Sequence, residues 1–402
     1  MPVLRPGPTG LKRVMARAVM GLIPIALSFC RRFWRVPHFG KFYIAALHDD
    51  VREVFATDRD FGVVYKPKLD VIMNNQPFIL GLPDGEQYRA ALNGMRRVAR
   101  RDDLPALAAK VEAMAEAIVA QANGQLEVVD ALIRRVTFGF IQNYLGIADR
   151  PDLQAWCTRL FEYQFVSSDA PLVAEVKQIA PALRAHIMAE IARCISQPAG
   201  RDDVMARCLA LQAKGEAGFS DDEICTNLMG LLVGGPPQPP MVVPQALEQL
   251  LRRPEALKGA QDAARANDDA ALASYVIEAM RFDPLAPGLP RLALRDCVIA
   301  AGTSHEKKIP AGATVFAAFA SAMMDSRRLA DPGHFNSSRL PYEYIHFGYG
   351  VHQCFGLHIN QATLHLMLKP LLQRENLRRA PGSAGRLRKS GAFAEALIVE
   401  YD

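Results

Sequence analysis

The chain lacks paired cysteines: its seven, at positions 30, 157, 194, 208, 225, 297 and 354, are odd in number and contain no Cys-x-x-Cys. That excludes a disulfide framework and a Cys-based zinc site, and predicts reduced thiols in a cytoplasmic setting. There is no low-complexity tract, no internal repeat and no linker, so the 402 residues are expected to form one unit, 1–402. Net charge is only +5 and no Lys/Arg-rich arm is interleaved with aromatics, which argues against nucleic acid as a partner. A long apolar run is also missing. The best candidate, Ala18 to Cys30, is flanked by Lys12, Arg13 and Arg17 and by Arg31 and Arg32, and Pro24 interrupts it. A bilayer span needs about 20 residues, so this stretch is too short to cross. A signal peptide has similar features, but Arg31, Arg32 and Phe33-Trp34 read as continuing structure. Residues 1–38 are therefore expected to be a helical lead-in that either packs on the body or rests, membrane-peripherally, on a lipid surface.

What the chain has is helix. Half of its residues are hydrophobic, enough for a large core. From Leu104 to Gln212, apolar residues recur at spacings of three and four, broken at Gly124, Gly146, Pro151 and 196–200. Phe161, Tyr163, Phe165 and Val166 are core at this spacing, with a pocket lining as the other reading. Gly40–Leu47 predicts a strand, and Asp49-Asp50 a cap for a helix over Val51–Ala56. Leu82-Pro-Asp-Gly85 reads as a turn into a helix carrying Arg89, Arg96, Arg97, Arg100 and Arg101. Pro290-Arg291 leads into a strand over Cys297–Ala300, and the Pro-x-Gly turn after Lys308 introduces another. The expected class is mainly α with a small β portion.

A long apolar helix begins at Asp221 with an acidic first turn, as the helix dipole favours. It ends in Gly234-Gly-Pro-Pro-Gln-Pro-Pro240. Proline removes an amide and clashes with the preceding turn, so the helix must break there, restarting over Met241–Arg253. Further on, Glu278 and Arg281 share a helix face at i and i+3, and Pro332-x-x-Phe335-x-x-x-Arg339 follows.

Near the C-terminus, Phe347-Gly-Tyr-Gly-Val-His-Gln-Cys-Phe-Gly356 places Cys354 in an aromatic, glycine-rich loop. A helix-compatible segment, Leu357 to Arg374, follows directly. Free amides at that helix start are expected to lower the thiol pKa. Gly348, Gly350 and Gly356 allow sharp turns and close approach to a flat ligand.

This long spacing, Phe-x-Gly-x-Gly-x-His-x-Cys-x-Gly, resembles the heme-ligand loop of the cytochrome P450 family, and the order of Glu278, Arg281 and Arg339 before it is similar. The resemblance covers the chain from about Phe39 and implies a cytochrome P450 fold. It implies heme b, with Cys354 as proximal thiolate, His352 and Arg291 near propionates, and Glu278, Arg281 and Arg339 as a charged brace. The family often has a His and, four residues on, an Arg touching propionates; Tyr88 and Leu92 stand there, leaving Arg96 as a candidate. Arginines beside it would greet an acidic electron-transfer partner. In the oxygen-binding helix, Gly234-Gly235 match the family's small pair, but the acid falls on Pro237 and the alcohol on Gln238, so ordinary proton delivery to dioxygen is in doubt.

The expected function is monooxygenase-type oxidation of a small apolar molecule, with electrons from a separate ferredoxin/reductase-type donor. A peroxygenase or lipid hydroperoxide isomerase, needing no reductant, is the alternative, and a non-catalytic heme protein the third. Ser321-Ala-Met-Met-Asp325 and the tail from Gly382-Ser-Ala-Gly385 through Gly391-Ala-Phe also look similar to the heme-thiolate domains of fatty-acid dioxygenase fusions.

Overall fold

A computed structural model describes residues 1–7, 10–197 and 200–402, with the side chains at 10–14, 16, 17, 19 and 20 outside the description. Lys12, Arg13 and Arg17, and the Pro198-Ala199 part of the predicted break, therefore lie outside the described residues. The first helix, α1 (Gly10–Phe33), runs on through Pro24 rather than stopping there. Residues around Pro24 are exposed, so water can take the carbonyl that proline leaves unpaired. Among the described residues no helix is long and apolar enough to cross a membrane.

A short hairpin follows, β1 (His38–Phe39) and β2 (Phe42–Ala45), shorter than the predicted Gly40–Leu47 strand. Helix α2 (His48–Ala56) starts before the expected cap: Asp49 and Asp50 sit inside its first turn, and no side chain caps it. Strand β3 (Phe61–Val63) and helix α3 (Lys66–Ile72) follow. Helix α4 (Glu86–Val98) ends at Val98, so Arg100 and Arg101 lie beyond it. The helical middle comprises α5 (Leu104–Gln121), α6 (Arg135–Leu145), α7 (Leu153–Phe165), α8 (Ala170–Ser196) and α9 (Val204–Gln212). Strand β4 (Gln125–Glu127) and a π-helical stretch, Val128–Arg134, interrupt it. Gly146 closes α6 in the left-handed region, φ 79°, where only glycine is unstrained.

Then come α10 (Asp221–Gly234), α11 (Pro239–Leu251), α12 (Pro254–Arg265) and α13 (Asp269–Phe282). Helix α10 starts on a capping box between Ser220 and Glu223. Helix α11 starts two residues before the predicted Met241, because Pro239 and Pro240 need no amide partner in a first turn. Strands β5 (Leu289–Ala293), β6 (Cys297–Ile299), β7 (Lys307–Ile309) and β8 (Thr314–Ala317) follow, then α14 (Phe319–Ala322). Segment 357–374 is not one helix but two, α15 (Leu357–Thr363) and α16 (Lys369–Leu372). Pro370 lacks the amide that continuity would require. Strands β9 (Arg378–Arg379), β10 (Arg388–Ser390), β11 (Phe393–Ala396) and β12 (Ile398–Glu400) close the chain.

The main sheet has the order β1-β2-β8-β5-β3, with β2 and β8 parallel and the other neighbours antiparallel. Helices pack into two apolar clusters, and the sheet with α2 forms a third. Helix α10 belongs to the first helical cluster and α11, apart from Met241, to the second, so the proline break lies where the two cores meet. The cysteine loop spans the same junction: Val351 and Phe355 pack on the first cluster, Phe347 on the second. Phe161 and Tyr163 are buried core, as the helical spacing implied, while Val166 is exposed.

Candidate functional site

The loop that carries Cys354 is held by its own backbone. The Cys354 amide donates to the Phe347 carbonyl at 2.9 Å, and Gly348 and Gly350 adopt φ of 71° and 75°. A Cβ at Gly350 would fall 2.7 Å from the Phe55 carbonyl oxygen. Glycine is thus required there twice over, by conformation and by the closeness of α2. Burial pushes the Cys354 thiol above its ordinary value, while the amides of Gly356 and Leu357 pull it back. The expected net lowering does not occur: desolvation of a sulfur anion outweighs two amides. A thiolate in this position calls for a cation facing it.

Around the loop the structure gathers a set of groups from distant parts of the chain. His352 Nε2 lies 3.2 Å from Asp58 Oδ1, both side chains buried, but it is not aligned for a hydrogen bond. Burial works to raise the Asp58 carboxyl, yet His352, the Asp84 amide and Arg291 together hold it below the usual carboxylate value. Tyr88 packs edge-on against His352, centroids 4.8 Å apart, and donates its hydroxyl to the Val351 carbonyl at 2.6 Å. Arg291 is buried, stacked over Phe55 at 4.8 Å. Its Nη1 makes two long bonds, 3.3 Å to the Tyr65 hydroxyl and 3.2 Å to the Pro290 carbonyl. Among the described residues, Nε and Nη2 have no partner, so a buried guanidinium presents unused donors. Asp58, Tyr65 and the bond from Tyr88 were not legible in sequence, because nothing local marks them. Arg96 is exposed in the last turn of α4. Its neighbours Arg89, Arg97 and Arg100 pair with the chain's own carboxylates, Asp84, Glu216 and Asp202.

At the junction opposite in sequence, Gly234 ends α10 and Gly235 leaves the helix at φ −95°, ψ −80°. A Cβ at Gly234 would meet nothing within 4 Å, and one at Gly235 would fall 2.7 Å from the Leu231 carbonyl. Gln238 donates its side-chain amide to the Gly234 carbonyl, whose helical partner, the backbone amide of Gln238 itself, turns to the Gly235 carbonyl instead. Leu231, Gly234, Gly235 and Gln238 are the half-buried positions of an otherwise buried stretch, at helical spacing. Pro237 and Gln238 bring no titratable group to it.

The brace forms as the order of motifs implied. Glu278 and Arg281, fully buried, make two parallel bonds of 2.6 and 2.9 Å. Arg339 Nε lies 3.4 Å from Glu278 and its Nη atoms donate to the Ala330 and Asp331 carbonyls. The sequence reading missed Tyr344, whose hydroxyl donates to Glu278 at 3.0 Å, and the Asn336 amide, also at 3.0 Å. His346 lies 3.1 Å from the Ile277 carbonyl, and burial pushes it down to about 4.

A family model described as "Cytochrome P450" matches residues 135–392. Over 365 residues the chain is 25% identical to "Cytochrome P450 FAS1" of Rhodococcoides fascians, covering 87% of this chain and 86% of that one. Over 203 residues, 48% of this chain, it is 30% identical to a "Bifunctional dioxygenase (DOX)-epoxy alcohol synthase (EAS)" of Fusarium oxysporum, whose length it covers by only 16%. The ligand-free structure of cytochrome P450 TbtJ1 superposes with TM-score 0.80 at 20% identity, covering 95% of this chain and 98% of that chain. The chain belongs to the cytochrome P450 family of heme-iron oxidoreductases. Its residues fit such a cofactor: a half-buried thiol in a tight loop, a Gly350 with no room for a side chain, and a buried arginine with unused donors for an acidic edge.

Two expectations follow. Glu278→Ala strands Arg281 and Arg339 as buried charges, so chemical denaturation should register a loss of about 3–5 kcal/mol. Because the His346 value is lowered by folding, its contribution is intact above about pH 6.5 and is lost as pH falls toward 4. His346→Gln should reduce the slope there by up to about 1.4 kcal/mol per pH unit, with buried His48 and His365 keeping a share of it; an unchanged stability profile in that variant would exclude His346 as a contributor.

Proposed function

We propose that residues 1–402 act as one heme-thiolate domain that binds heme b through Cys354 and consumes an organic hydroperoxide, with no reductant. The observation that carries this reading is the α10–α11 break, where Pro237 and Gln238 offer no acid to feed protons toward dioxygen. Heme iron bearing a thiolate ligand supplies the electron push that favours O–O cleavage. The chain's own residues do the rest. Arg291 and His352 are assigned to the propionates, in keeping with their burial and unused donors. Gly234 and Gly235 leave room over the cofactor. Gln238 spends its amide on Gly234 and keeps its carbonyl oxygen as an acceptor for an O–H of the peroxide or product. Half-buried Leu231 and Leu285 provide apolar lining that favours a lipid-like substrate over a polar one.

The Fusarium oxysporum relative bears the name of an epoxy alcohol synthase, a reaction type that rearranges a hydroperoxide into its isomer. No electron donor is consumed when substrate and product are isomers. A second reading is monooxygenation of a small apolar molecule with electrons from a ferredoxin/reductase-type partner, as the resemblance of the Cys354 loop implies.

Purified holoprotein should convert an unsaturated fatty-acid hydroperoxide anaerobically, without reductant, well above free heme. Gln238→Leu should slow that conversion by about tenfold or more while the absorption spectrum is unchanged. Conversion no faster than free heme, with reductase-dependent turnover instead, would establish the second reading. Separately, Cys354→Ser should abolish the thiolate-type ferrous–CO band; a retained band would remove Cys354 as the ligand.

A further inference from the structure

Among the described residues, little covers the last three turns of α1. Leu27 is the buried contact, Ser321 Oγ donates to its carbonyl, and Arg31 donates back to Ser321, tying one face to α14. The other face carries Leu22, Ile25, Phe29 and Phe33, between 55% and 69% exposed and spaced as one helical stripe. Pro24, Ile25, Ser28, Phe29, Arg32 and Phe33 line a shallow apolar groove of about 430 Å³ along it. The stripe continues off the helix. Trp34 packs edge-on against Phe39 at the β1–β2 hairpin, ring centroids 5.7 Å apart, and Phe42 stacks on Phe316 at 6.3 Å. Trp34, Phe39 and Phe42 are all exposed. A contiguous apolar surface of this kind marks an interaction site.

Charge says what covers it. Residues 1–48 contain eight Lys or Arg and no Asp or Glu, although the whole chain is only +5, so the rest is net negative. Exposed Arg32 reaches over the Phe33 ring at 5.6 Å, and exposed Lys41 stands at the tip of the hairpin. Aromatic and aliphatic side chains with Arg and Lys among them, and no acid, match an acyl boundary beneath anionic headgroups. A protein partner would place polar, directional groups against this surface, and the stripe offers few to meet them. The uncharged run of α1, Ala18 to Cys30, is shorter than a bilayer span and interrupted by Pro24, so the helix would lie in the interface plane.

We propose that α1 from Leu22 onward, with Trp34 and the β1–β2 hairpin, is a peripheral docking surface for anionic membranes. It is independent of the reaction assigned above. The holoprotein contains two tryptophans, Trp34 and Trp156, and Trp156 sits under the Arg150 guanidinium at 4.0 Å. In a Trp156→Phe background, vesicles of phosphatidylcholine with phosphatidylglycerol should shift Trp34 emission to the blue, and vesicles of phosphatidylcholine alone should do so far less. The unaltered holoprotein should co-sediment with the anionic vesicles, less so at high salt. Phe29→Asp with Phe33→Asp, both on exposed positions, should weaken co-sedimentation by more than about tenfold and leave the heme absorption spectrum unchanged. Absence of binding to anionic vesicles, or binding that ignores the double substitution, overturns the proposal. A dimer that the same substitution dissociates would then assign the face to a second copy of the chain.

Discussion

The Glu278 carboxylate is the point on which the proximal half of the molecule turns. It accepts from both arms of Arg281, from Arg339, from the Tyr344 hydroxyl and from the Asn336 amide. Arg281 in turn donates to the Met323, Pro332 and His334 carbonyls. Most of the chain between β8 and α15 has no regular secondary structure of its own, so these bonds, not a helix or sheet ladder, set its course toward Cys354. Buried ion pairs contribute little net stability once desolvation is counted. Their effect here is geometric, because each partner accepts only one arrangement of planar donors and acceptors.

A second constraint opposes the first kind of order. The Cys354 sulfur is drawn into a site where burial favours the neutral thiol, against the pull of two amides. The same region holds Arg291 with donors to spare and His352 out of line with Asp58. Each is a local cost that a large, cationic, acid-edged cofactor would offset. Stability of the fold and occupancy of the site are therefore linked, since whatever binds only the folded chain stabilises it.

The distal side is shaped by what proline forbids. Pro236, Pro237, Pro239 and Pro240 each lack an amide, and α10 and α11 become separate helices packed, Met241 apart, in separate cores. Gln238 repairs one lost bond with its side chain and thereby fixes its own orientation. A residue that would be unremarkable on a helix surface is locked at the junction of two cores.

Motif spacing alone marked Cys354, His352 and the loop glycines, since a tight turn over a flat ligand restricts residue type at each step. It also marked the Glu278–Arg281 pair and the helix break, because i, i+3 faces and prolines act locally. Boundaries were less legible: α11 starts earlier than apolar spacing suggests, and segment 357–374 breaks over 364–368, ahead of Pro370 in the first turn of α16. Tyr65, Tyr88 and Tyr344 acquire their roles through contacts with residues more than 60 positions away, as Asp58 does with His352. The sign of the Cys354 shift was likewise decided in three dimensions, since sequence shows the amides that follow a cysteine but not the atoms that exclude water from it. Sequence by itself determined the helical class, the thiol loop and the order of the charged brace, all written in local spacing. Only the tertiary structure decided which polar groups meet, which are buried, and which apolar face of α1 stays open, because burial is a property of the folded whole.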